Sequence, residues 1–143
     1  MKVEASYTFD APRDRVWSVL MNPDSLKSCV PGCESLTPNG ENSYEASLKV
    51  GVAAIRGNYK GSIRLTDIDE PSTYKMNVEG KGGSGFVRGI AQIELVDQGG
   101  STQVNVMGDG NVGGTVAGVG QRMLGGVAKM LMGQFFECLK KQL

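Results

Sequence analysis

The chain has 143 residues, enough for one domain around one core, and its 15 Lys plus Arg balance 15 Asp plus Glu to a net charge of zero. A neutral balance with no block of like charge excludes a nucleic-acid binder, which needs a basic surface to displace counterions from phosphates. Histidine is absent, so the imidazole that serine and cysteine hydrolases use as a base, and that most zinc sites use as a ligand, is missing.

In chain order, residues 2–9 alternate: Val3, Ala5, Tyr7 and Phe9 share one face and Lys2, Glu4, Ser6 and Thr8 the other, which predicts a strand with one buried side. Asp10 ahead of Pro12 reads as a helix opening, followed by a stripe of Val16, Trp17, Leu20 and Met21. Asn22-Pro23-Asp24 restarts a second short helix with Asn22 as its cap, and Val30-Pro31-Gly32 ends it. From there to residue 112 the pattern is all strand. Apolar positions alternate at Tyr44–Val50, Ile55–Leu65, Tyr74–Val78, Ala91–Leu95 and Thr102–Val106, separated by turn clusters around Asn39-Gly40, Pro71-Ser72 and Gly99-Gly100. The short links imply antiparallel hairpins. The strand over 55–66 is long enough to need a bend, and Gly57 and Gly61 are where it could occur.

Residues 115–143 change to a helical period, with Val116, Val119, Met123, Val127, Met130 or Leu131, Phe135 and Leu139 recurring at three- and four-residue steps. About 25 such residues make a helix near 38 Å long. One curved antiparallel sheet of about seven strands then has one long C-terminal helix to cover its apolar face, plus two short helices after the first strand. This is an α+β helix-grip domain over residues 1–143. One helix does not fill a strongly curved sheet, so a space is expected between them. Its expected apolar lining is Tyr59, Ile63, Met76, Ile93, Val106, Met123, Val127, Met130, Leu131 and Phe135.

Glycine stands out: 21 residues, about twice the usual share. Gly125, Gly126 and Gly133 fall inside the last helix, where each costs up to ~1 kcal/mol relative to alanine. Either Gly125 and Gly126 make room for a ligand beside the adaptable methionines, or the glycines mark close packing of helix on sheet. Gly80, Gly82 and Gly85, and again Gly108, Gly110 and Gly113, fit the spacing of a dinucleotide fingerprint. The first set leads into another strand, and the second leaves no later strand for a ribose-binding acid, so both read as chance matches. Arg64 and Arg88 are the polar candidates for the cavity, as donors to a ligand oxygen, with exposed strand arginines as the alternative. Asp67, Asp69 and Glu70 read as a solvated turn, and no catalytic residue is assigned.

Cys29, Cys33 and Cys138 are an odd set with no leader sequence before them, which points to a reducing, cytoplasmic setting. Three thiols at this spacing do not build a closed zinc site, so no metal is expected and the cysteines read as turn residues that happen to be thiols. No window approaches the ~20 apolar residues of a membrane span.

Phe9-Asp10-Ala11-Pro12 through Val16-Trp17, then Val30-Pro31-Gly32-Cys33-Glu34-Ser35-Leu36, resemble the carbon monoxide dehydrogenase CoxG family of the START-like, SRPBCC superfamily. The resemblance continues through Gly57, Tyr59, Gly61 and the Glu70-Pro71 turn to Gly113-Gly114, Val116–Gly120 and Arg122-Met123-Leu124. It implies a deep apolar cavity holding an isoprenoid quinone or other lipid, with no covalent cofactor. It also implies service as carrier and accessory protein to a molybdenum hydroxylase of the carbon monoxide dehydrogenase type, recruited to the inner face of the membrane. Membrane-associating members carry an apolar tail after the domain. This chain ends at Leu143, and the expected membrane contact is then the amphipathic Met123–Phe136 surface alone. Two other readings stand beside the carrier: a polyketide-cyclase-type enzyme working through Arg64 or Arg88, and an assembly protein docking through the surface around Cys33.

Overall fold

Alternation of apolar and polar residues builds a seven-stranded antiparallel sheet in the order β1-β7-β6-β5-β4-β3-β2. The strands are β1 Lys2–Phe9, β2 Cys33–Pro38, β3 Ser43–Val50, β4 Gly57–Asp69, β5 Thr73–Gly82, β6 Gly85–Asp97 and β7 Thr102–Gly113. The helices are α1 Arg13–Met21, α2 Pro23–Cys29 and α3 Gln121–Lys140. The computed structural model describes residues 1–52, 55–83 and 85–143. Curved sheet, two short helices after the first strand and one long final helix make the expected helix-grip architecture.

Local signals act with two exceptions. Asn22 caps α2 as expected, its Oδ1 accepting from the Asp24 amide at 2.9 Å. Asp10 does not cap α1; the helix opens at Pro12, whose carbonyl accepts from the amides of Arg15 and Val16. A proline there lacks only an N–H that the first turn leaves unpaired anyway. The last helix is shorter than its periodicity suggests. A 3₁₀ turn, Thr115–Val119, comes first, and Gly120, at φ +96°, turns the chain before α3 begins. The 20 residues of α3 span about 30 Å.

The irregularity expected at Gly57 or Gly61 of β4 falls instead between Thr66 and Asp69, where the register shifts and Asp67 takes a φ of 48°. Gly57 takes a positive φ of 151°, a conformation that costs glycine little. At Gly61 the backbone of β5 comes so close that a Cβ would strike the Glu79 carbonyl oxygen.

Strand registers sort the inner face into two halves. At the proximal end, beneath α1 and α2, inward positions hold Ile63, Leu65, Tyr74, Ile93, Leu95 and Val104, all buried. The proximal half of α3 lays Phe135, Phe136 and Leu139 onto them. Phe136 stacks on Tyr7 at 4.4 Å between ring centroids, and Trp17 meets the Tyr74 ring edge-on at 5.4 Å. Trp17 also donates its indole N–H to Glu70 Oε1 at 3.0 Å, tying α1 to the β4–β5 turn. Glu70 is therefore a structural acceptor rather than part of a purely solvated turn. Asp67, exposed like Glu70, pairs with Lys75.

Cys29 of α2 and Cys138 of α3 form a disulfide with Cα atoms 5.4 Å apart. This corrects the reading of all three cysteines as turn thiols; only Cys33 is free. The pairing is hidden in the sequence by a separation of 109 residues, which closes only because α3 returns to pack on α2.

Candidate functional site

At the distal end the same inner face is built differently. Its inward positions are Gly61 on β4, Gly80 and Gly82 on β5, Gly89 on β6, and Gly108 and Gly110 on β7, with Met76, Val78, Val87 and Ala91 among them. None of these reaches full burial. A Cβ added at Gly80 would meet nothing within 4 Å. Facing them, Val127, Ala128 and Leu131 occupy the inward stripe of α3 between buried Leu124 and buried Phe135, yet none of the three is buried. Two half-buried apolar surfaces thus face each other across the distal end, while the depressions around Lys60 and Lys81 and around Ile90 and Met107 are lined mainly by outward strand side chains and by no residue of α3. The 3₁₀ turn, with Val116 buried, rests on β6 and β7 and carries α3 across the opening.

From Tyr59 to Leu65 on β4, Tyr74 to Gly82 on β5, Gly85 to Leu95 on β6 and Val104 to Val112 on β7, the inward positions carry no charge; Asp97, opposite Thr102 at the proximal rim, is exposed. The polar atoms on this face are few and mostly committed. Thr102 Oγ1 donates to the Ala11 carbonyl at 2.9 Å and Tyr59 Oη to the Ile55 carbonyl at 2.7 Å. The Tyr74 hydroxyl has no hydrogen-bond partner among the described residues, and burial pushes its pKa far above the ordinary phenol value. Burial likewise raises Tyr59. An unpaired buried hydroxyl costs about 1–3 kcal/mol, so Tyr74 holds a donor in reserve.

Of the residues expected to line the cavity, Tyr59, Ile63, Ile93, Val106 and Phe135 are buried inside the grip, and Met76, Val127 and Leu131 are half-buried, Met76 against the core cluster. Met123 and Met130 do not lie beneath the helix. They are 57% and 44% exposed, along the flank of α3. Arg64 and Arg88 are on the outer face. Both are exposed, and Arg88 Nε pairs with Glu79 Oε1 at 3.3 Å. The two-residue strand period dictates this: each alternates with an inward neighbour, Ile63 and Val87 respectively.

Gly126 and Gly133 sit on the side of α3 that carries Arg122, Lys129 and Lys140, away from the sheet, while half-buried Gly125 lies on the flank beside Phe136. A Cβ on any of the three would meet nothing within 4 Å, so close helix–sheet packing is not their reason. Of the sheet glycines whose spacing imitates a dinucleotide fingerprint, Gly80 leaves open space, whereas a Cβ on Gly82, Gly85, Gly110 or Gly113 would press on a carbonyl oxygen or on the Phe86 ring. A signal for them exists in the sequence: Gly80, Gly82, Gly108 and Gly110 fall at alternate positions in phase with the buried strand residues.

Among the described residues, no group of three or more Cys, Asp or Glu side chains converges as a metal site, and no helix is long and apolar enough to cross a membrane.

With this geometry in view, the family model for CoxG, a subunit of carbon monoxide dehydrogenase, matches residues 6–143. No curated protein sequence matches the chain. A crystal structure of a conserved protein from Geobacillus kaustophilus superposes with a TM-score of 0.97 at 42% identity, covering 99% of this chain and 94% of that one. A START superfamily protein from Mycobacterium smegmatis superposes at 0.75 with 13% identity, covering 99% and 95%. The Zhui aromatase/cyclase from Streptomyces sp. R1128 superposes at 0.73 with 16% identity, covering 99% and 92%. At those last two identities the likeness is one of fold, and the fold is START-like.

Proposed function

Because the chain belongs to the carbon monoxide dehydrogenase CoxG family, we propose that it is a non-enzymatic carrier of an apolar small molecule, held between α3 and the glycine-lined half of the sheet. The observation that supports this reading is the apolar inner face, whose distal half is built from glycines and is only half-buried beneath α3, with open space beside Gly80. Apolar surface left facing apolar surface is stabilised by whatever excludes water from it, at roughly 25 cal/mol per Å² removed. A long, flexible lipid meets that description, and an isoprenoid quinone is the favoured occupant. The proximal half contributes rigidity: its packed rings hold the helix at a fixed height above the sheet.

In the same reading the protein is an accessory to a molybdenum hydroxylase of the carbon monoxide dehydrogenase type, to which the family's name points. It exchanges its ligand between that enzyme and the inner face of the cytoplasmic membrane. The exposed Met123 and Met130 on the flank of α3 suit brief apolar contact at either end of the exchange.

Native mass spectrometry of protein purified from its own host tests the carrier reading. A bound lipid-like mass that is lost in Gly80→Phe, with folding intact, is the expected result. Absence of any bound mass from wild type, even after incubation with quinone-loaded vesicles, would overturn it. Capture of the hydroxylase separates carrier from docking protein. If Gly80→Phe still captures the enzyme and still supports electron delivery to quinone, the surface and not the hollow is what matters.

A further inference from the structure

The outer face of the distal half carries an unbalanced row of cations that the carrier reading does not use. Lys49, Lys60, Lys81 and Arg88 stand one per strand on β3, β4, β5 and β6, all exposed. The register sets Lys60 directly opposite Lys81, and places Lys49 and Arg88 on the diagonals to either side. Directly opposed side chains on one face lie about 5 Å apart, where like charges destabilise a sheet. A neutral chain with charges to spare does not need this arrangement for solubility.

The two lysines also frame a depression of about 330 Å³, lined by Lys60, Ser62, Glu79, Lys81, Phe86 and Arg88. Arg88 is taken up by Glu79. Neither Lys60 nor Lys81 has an ion-pair partner among the described residues. Three cations around one carboxylate leave the depression with two positive charges. Phe86, 44% exposed, provides an apolar wall, and the Ser62 hydroxyl adds a donor.

We propose that this depression binds a phosphate monoester. A dianionic phosphoryl group matches the surplus charge, and its three terminal oxygens can accept from Lys60, Lys81 and Ser62 together, lysine serving as a point-charge phosphate ligand. A single carboxylate would leave half the charge unmatched. Its charged side chains lie on the opposite face of the sheet from the ligand hollow, and Gly61, Gly80 and Val87, at inward positions, complete its lining. The phosphoryl group comes either from a soluble molecule, with Phe86 against its organic part, or from the headgroup of an anionic lipid. In the second case the outer face meets the membrane.

The test titrates intact protein with phenyl phosphate by calorimetry at low salt, and separately floats it with phosphatidylcholine vesicles with and without phosphatidic acid. The Lys60→Gln/Lys81→Gln pair, checked for folding by near-ultraviolet circular dichroism, is expected to weaken binding at least tenfold. Lys141→Gln, an exposed lysine remote from the depression, is expected to leave it unchanged. Binding of phenyl phosphate that the paired variant loses supports a soluble ligand. Flotation only with phosphatidic acid, lost in the same variant, supports the lipid source. No binding to either probe, or equal binding by wild type and the paired variant, overturns the proposal.

Discussion

The proximal and distal halves of the inner face share strands, register and helix, and differ in what stands at the inward positions. The proximal half holds rings and branched chains that bury one another, with Tyr74, Ile93, Val104 and Leu139 at 2% exposure or less. The distal half holds glycines, and no residue among Gly80, Val87, Gly89 and Gly110 is fully buried. One half of a sheet thus serves stability and the other vacancy, and the boundary runs through Met76, Val78 and Ala91. A small domain can keep an open hollow only if the remainder is packed densely enough to fold without it.

The largest expected effects break the proximal half. Phe136→Ala removes a ring that contacts Tyr7, Phe9 and Phe135, and should cost about 3–5 kcal/mol in urea unfolding. In the distal half Gly80→Ala, which meets open space, should change stability by less than about 1 kcal/mol. Equal losses at the two sites would erase the distinction. Distal glycines expected to resist substitution are Gly61, Gly82 and Gly85, whose Cβ atoms would strike the carbonyl oxygens of Glu79, Asn58 and Gly113.

Next in size is the disulfide. Reducing it, or replacing Cys29 by Ser, releases a covalent link across 109 residues and should lower unfolding free energy by about 2–4 kcal/mol. The melting temperature of the reduced and oxidised forms measures it. No difference would mean that helix packing alone fixes α3.

Smaller still is the contribution of the Tyr74 hydroxyl. The native state keeps this phenol protonated well above its ordinary pKa of 10.0. Its share of stability is therefore complete below that value and is lost as pH climbs beyond it, because the unfolded chain can ionise and the folded one cannot. Tyr74→Phe should flatten the fall in stability above about pH 10. At pH 7 the same change should be neutral or stabilising by about 1 kcal/mol, since it removes an unpaired buried hydroxyl. A marked loss at neutral pH would show that the hydroxyl does have a partner.

The fold is legible in the sequence because its signals are periodic. Alternation from Val3 to Phe9 and from Tyr44 to Val106, then three- and four-residue steps from Met123 to Leu139, specify which face of each element is apolar. The site is legible only in part. Tyr59, Ile63, Ile93 and Val106 lie on the inner face because they share the strand phase of the buried core residues. Chemistry suggests Arg64 and Arg88 for the cavity, but strand parity sends both outward. Met123 and Met130 are apolar, yet the docked helix turns them to its flank. The disulfide and the outward-facing Gly126 depend on how α3 docks, a tertiary fact that no local pattern encodes. The sheet glycines are visible in the sequence but resemble a phosphate-binding motif, and only their shared phase with buried neighbours reveals that they floor a hollow.

The most direct test fills that hollow and reads occupancy and stability together. Gly80→Phe is compared with wild type by native mass spectrometry after incubation with quinone-loaded vesicles, and by thermal unfolding of the empty proteins. The account predicts a loaded wild type, an unloaded variant and melting temperatures that agree closely. A variant that carries the ligand as well as wild type, or a wild type that never loads, would contradict it.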